Sequence, residues 1–284
     1  MLESLINPKK GEKGPWKMFF IGLIYASLSL ILVHLFFASD PNLSKASGIL
    51  VVLFCIMFCF PFMYYIIKTE EKEDEEAEGV FNVWEAHKDA IYALMWLFFG
   101  LVVAFSFWNI VLQDSNLLNF QIQTYCQINS PGDIDNCVAK YSAGSFLTGN
   151  STSGLRFLSI IENNVYVMLF TLIFSLIFGA GALFVLVWNA SVISAAIGIF
   201  AQYRVSDIPL GIARYIIHGL PEIAAYFITA LAGGIFGIGL IRHGVKDRRF
   251  LKVVENVIIL IFIALIILII AALLEVYVTP IIFK

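Results

Sequence analysis

Arg214, His218 and Glu222 recur at four-residue intervals within one long apolar run. On a continuous helix that spacing stacks a guanidinium, an imidazole and a carboxyl on one face. Two kinds of chemistry fit. One is a static clamp, in which the groups pair and fix the packing of neighbouring helices. The other is a relay, in which Glu222 and His218 pass a proton or hold an ion or a substrate. A third reading leaves Arg214 reaching out to the membrane interface. Glu222 needs a polar partner, because a lone charge in hydrocarbon is expensive; Arg214 and His218 are nearest by spacing. Asn163, Asn164 and Asn189 offer hydrogen bonds between the neighbouring runs. Catalysis has less support. One His and one Glu fall short of the three or four ligands of a metal site, and no Ser or Cys nucleophile stands beside a base. The expectation is no enzyme, no metal and no cofactor.

These residues need a frame, and composition says which solvent surrounds it. Sixty per cent of the 284 residues are hydrophobic and 14% are charged, against roughly 25% charged in a soluble domain. A chain of this size cannot hide that much apolar surface in a water-soluble core, so lipid is its expected partner. The net charge of −3 and the lack of a basic stripe with interleaved aromatics exclude nucleic acid. Apolar runs of about 20 residues mark transmembrane helices. They fall at 18–38, 46–67, 89–112, 212–241 and 253–276, and a double-length run covers 160–201. The first run is too long for a cleaved signal and is read as a retained span. The double run divides near Gly179-Ala180-Gly181, with Trp188-Asn189 near its middle. The expected fold is an all-α polytopic transmembrane bundle of about seven spans, with kinked or broken helices around 179–190 and 219–222, where Pro221 removes a backbone donor. Seven spans with a cytoplasmic N-terminus put twelve Lys and Arg inside and five outside, as the positive-inside rule asks. The C-terminus then lies outside the cell membrane.

Three units follow: a transmembrane hairpin at 1–69, an acidic cytoplasmic linker with an interfacial helix at 70–88, and a five-span core at 89–284 whose outer loop is 113–157. The linker holds seven acids between Glu70 and Glu78 and reads as a solvated extension; a docking site for a basic partner or a cation is the sharper reading. Val80, Phe81, Trp84 and His87 then share one face of a short helix, at the interface or as the start of span three. Cys126 and Cys137 both lie in the outer loop, so a disulfide is expected there. Cys55 and Cys59, inside span two, read as packing residues. Asn150-Ser151-Thr152 fits an N-glycosylation sequon. Gly233 and Gly237 form a GxxxG pair, which lets helix backbones approach closely in lipid. Packing within the fold is its first use and a homodimer its second.

His218-Gly-Leu-Pro-Glu222-Ile-Ala, followed by small residues as far as Gly239, resembles the signature of the stage II sporulation protein M family. That family typically shows Pro-His-Gly-x-x-Glu. Here Ile217 stands at the usual proline, with a proline at 221, and Asn189-Ala190 is the counterpart of a frequent Asn-Gly pair, with the Gly lost. The resemblance covers about 81–278, so that the first two spans look like an added hairpin. It implies a membrane scaffold or assembly component of an envelope-associated complex with membrane or envelope protein partners, peptidoglycan-degrading ones among them. A small transporter or channel with a His/Glu proton or ion site is the alternative.

Overall fold

The computed structural model describes residues 15–37, 39–74, 79–112, 117–129, 133–142, 153–178, 182–201 and 204–282, almost all of them helical. In chain order the helices are α1 Lys17–Phe37, α2 Ser47–Asp74, α3 Val80–Leu112, α4 Asn119–Asn129, α5 Ile134–Ser142, α6 Ser153–Phe178, α7 Ala182–Phe200, α8 Ile208–His243, α9 Arg248–Leu273 and α10 Thr279–Ile282. A π-turn, Leu274–Val278, joins the last two. Among the described residues six helices are long and apolar enough to cross a membrane, and α6 adds a shorter apolar stretch, Ile160–Leu176. The expected multi-span all-α fold is therefore present.

Local chemistry sets the turns. The Asp40 carboxylate accepts from the backbone N–H of Asn42 and Leu43, both at 2.8 Å, and closes the α1–α2 hairpin. Those donors, Leu43 foremost, hold its carboxyl below the usual range. Gly244 ends α8 at a φ of 69°, a left-handed conformation that a side chain disfavours. Asp247 then caps α9 by accepting from Arg249 N–H at 2.9 Å.

Helix α8 is the hub. Its apolar stretch is 78% buried, against 33% in α1 and in the α9–α10 stretch Arg248–Ile282, so α8 is covered by protein where those two leave most of their apolar surface uncovered. The glycine-rich run makes this possible by lying close to three neighbours at once. A Cβ on Gly233 would sit 2.8 Å from the Leu172 carbonyl oxygen of α6, and one on Gly237 would sit 2.7 Å from that of Leu176. Gly234 lies under Ile67 of α2, and Gly239 under Val253 of α9. The GxxxG face is thus filled by the chain's own α6. Gly22 and Gly100 bring α1 and α3 together in the same way.

One helix ends at Phe178 and the next begins at Ala182, inside the 179–190 region where a kink or break is expected. Helix α8 runs unbroken through 219–222 with Pro221 inside it, and α7 runs unbroken through Trp188 and Asn189. Neighbouring helices can hold a proline-containing helix together in a membrane. The Gly179-Ala180-Gly181 turn and the Asn150 sequon lie outside the described residues.

Helices α4 and α5 form a hairpin joined by the Cys126–Cys137 disulfide, with Cα atoms 5.7 Å apart. Such a closure contributes roughly 2–4 kcal/mol. The hairpin is fixed to the bundle by Gln121, whose Nε2 donates to the Gly48 carbonyl at 3.0 Å and to Ser191 Oγ at 3.1 Å. Cys55 and Cys59 are buried free thiols in α2.

Candidate functional site

Polar side chains gather in two places on α8. The first is the segment singled out by spacing. Arg214, His218 and Glu222 each turn to a different partner. The Arg214 guanidinium lies over the Phe200 ring of α7, 4.9 Å from its centroid. His218 Nδ1 is 3.2 Å from Thr279 Oγ1, and that hydroxyl donates to the Leu274 carbonyl at 3.1 Å. A hydroxyl has one proton to give, so His218 Nδ1 carries the proton in its own bond. Glu222 accepts from the Tyr226 hydroxyl at 2.9 Å. The charge of Glu275, in the π-turn, also acts on Glu222. π-turns recur at functional sites.

Arg214, His218 and Glu222 thus each meet a ring or a hydroxyl. Tyr226 was hidden by its type, since a tyrosine in an apolar run reads as packing. It sits one turn after Glu222, where i,i+4 geometry delivers its hydroxyl. The asparagines bond locally. Asn189 Nδ2 donates to the Val185 carbonyl of its own helix at 2.7 Å, and Asn163 Nδ2 to its neighbour Asn164 at 3.3 Å.

The second place is the opposite end of α8, and sequence reasoning missed it. Glu70, Glu71 and Asp74 are buried at 2%, 0% and 0% exposure, so the solvated-linker expectation fails for these three; Lys72 and Glu73 between them are exposed. The His87 imidazole of α3 bridges two of them. Nδ1 is 2.7 Å from Glu70 Oε2 and Nε2 is 3.1 Å from Asp74 Oδ1. Both ring nitrogens face carboxylates, so the imidazolium form, with two donors, satisfies the geometry. Glu71 pairs with Arg242 at 2.6 Å and lies 3.7 Å from His243 Nε2, both on α8. Asn256 of α9 donates to the Asp74 backbone carbonyl at 3.0 Å. One end of α2 is thereby locked to α3, α8 and α9. The residues after Gly79 form the first turns of α3, with Phe81 exposed and His87 inside.

A signal for this cluster exists in the sequence. The buried face of α2 runs through Cys59, Met63, Ile66 and Ile67. Its three-to-four-residue spacing continues in register to Glu70 and Asp74. Among the described residues no group of three His, Cys, Asp or Glu is placed to hold a metal ion.

Six helices long and apolar enough to cross a membrane, with buried carboxylates paired to His87 and Arg242 at one end, define a multi-pass membrane protein. The chain belongs to the stage II sporulation protein M family, whose description matches residues 50–280. The matched region takes in α2 as well as the part that the motif alone marks out. No curated protein and no solved structure matches the chain.

Proposed function

We propose that the protein is an integral membrane scaffold, an assembly component of an envelope-associated complex, with no catalytic activity of its own. One observation carries this reading: Arg214, His218 and Glu222 are each committed to a separate contact inside the fold. A clamp of that kind fixes a shape, and a fixed shape is what an assembly component presents to partners. Membership of the sporulation family supports the same reading by analogy. In this proposal the N-terminus and residues 242–252 face the cytoplasm, and the α4–α5 hairpin and the C-terminus face outward. A cysteine placed at position 246, on a background without Cys55 and Cys59, is then protected from a membrane-impermeant maleimide in intact cells. Labelling there from outside overturns the orientation.

A second reading, a small proton or ion transporter, draws on a second carboxyl, Glu275, in the π-turn that packs against α8. Purified protein in liposomes separates the two. The scaffold reading expects proton and cation flux at the level of empty vesicles. It also expects Glu222→Gln to keep most of the stability, since the amide oxygen still accepts from Tyr226. Glu222→Leu is expected to cost about 1–3 kcal/mol, because the buried hydroxyl loses its acceptor. Flux that Glu222→Gln abolishes in a folded protein overturns the scaffold reading.

A further inference from the structure

The turn between α8 and α9 carries two kinds of side chain that no single solvent accommodates. Ile241, Val245 and Leu251 are 87%, 65% and 60% exposed. Lys246, Arg248 and Arg249, between them in sequence, are exposed as well, and Lys252 follows one turn into α9. Water alone disfavours the apolar set. Hydrocarbon alone disfavours the cations. The boundary between acyl chains and headgroups suits both. Phe81, at 89% exposure, belongs to the same end of the bundle, because the Glu71–Arg242 pair brings the end of α2 to the end of α8.

The carboxylates on this stretch leave a surplus of positive charge. Asp247 is engaged by the Arg249 backbone N–H and guanidinium, which hold its carboxyl below the usual range. Glu255 is the other exposed acid, against four cations. His243 is turned inward to Glu71, and Arg242, although still exposed, is paired with the same carboxylate.

We infer that the α8–α9 turn is a binding surface for anionic phospholipid headgroups, with Lys246, Arg248 and Arg249 contacting phosphate and Ile241, Val245 and Leu251 entering the acyl boundary. The inference does not depend on the scaffold reading or on which leaflet the turn faces. Its energetic basis is the attraction of anionic lipid for basic residues beside a transmembrane helix, which amounts to about fivefold in partitioning per cation.

The test uses the full-length protein reconstituted in vesicles of equal phosphatidylglycerol and phosphatidylcholine, then re-extracted in mild detergent, with retained lipid quantified by mass spectrometry. Phosphatidylglycerol is expected to be enriched several-fold at low salt. The enrichment is expected to vanish in the triple variant Lys246→Gln, Arg248→Gln, Arg249→Gln. It is also expected to fall in the unmodified protein as salt rises, because exposed charges are screened; this arm involves no substitution and so no folding risk. Equal retention of the two lipids by the unmodified protein at low salt overturns the inference. So does a folded triple variant that keeps the preference, or a preference insensitive to salt.

Discussion

His87→Leu is expected to destabilise the protein by about 3–5 kcal/mol, the usual penalty for removing one partner of a buried ion pair. The imidazole is fully buried and contacts Glu70 and Asp74. Without it two buried carboxylates one helical turn apart face each other with no cation between them. Asp74 Oδ2 already has no hydrogen-bond partner among the described residues, so that side chain has little to fall back on. In detergent the thermal midpoint should drop by roughly 10 °C. The triple change Glu70→Met, Asp74→Leu, His87→Leu should recover most of the loss, because apolar groups of similar volume often replace a buried pair at no cost. A single His87→Leu variant as stable as the parent would mean that water reaches both acids, and the network would have no structural weight.

This network shows where sequence reasoning stops. The apolar runs are long enough that lipid is the one solvent that accommodates them, so the helical, multi-span fold could be read directly. The disulfide followed from two cysteines sharing one polar loop. The family signature around Glu222 could be read too, and its reach was underestimated because α2 carries no part of that motif. Charge partners were another matter. Glu71 and Arg242 lie far apart in the chain and meet only because α2 and α8 pack together, with Gly234 lying under Ile67. An acidic run looks solvated when read alone, since the cations that neutralise it are supplied by tertiary structure. Helical spacing puts Arg214, His218 and Glu222 on one face, and the structure adds contacts that spacing does not show: an aromatic ring, a threonine on α10, a tyrosine one turn along. Spacing along one helix states which groups are neighbours and is silent on what the next helix offers.

The glycines of α8 allow a test in which positions on one helix respond with opposite signs. Gly233→Ala is expected to destabilise the protein by about 1–3 kcal/mol, the range for overpacking a tight contact. The new methyl would meet the Leu172 carbonyl oxygen and Ser175 Cβ, both at 2.8 Å. A backbone carbonyl cannot rotate aside as a side chain can, so α6 and α8 must separate. Gly237→Ala should behave alike, against the Leu176 carbonyl. Gly233→Ile or Gly237→Ile should abolish the folded state, since a branched side chain has no room between the two backbones. Gly219 is the control. It lies on the same helix, and a Cβ built there meets nothing within 4 Å. Gly219→Ala should therefore stabilise by about 0.5–1 kcal/mol, because alanine has less backbone freedom to lose than glycine. Thermal midpoints of the single variants, measured side by side in one detergent, give the comparison. If the GxxxG face instead served a homodimer, Gly233→Ala would change the oligomeric state and leave the midpoint of the dissociated protein untouched. The contact with α6 requires the reverse: a lower midpoint whatever the oligomeric state. A Gly233→Ala variant as stable as Gly219→Ala would remove close backbone approach as the reason for the glycine-rich run.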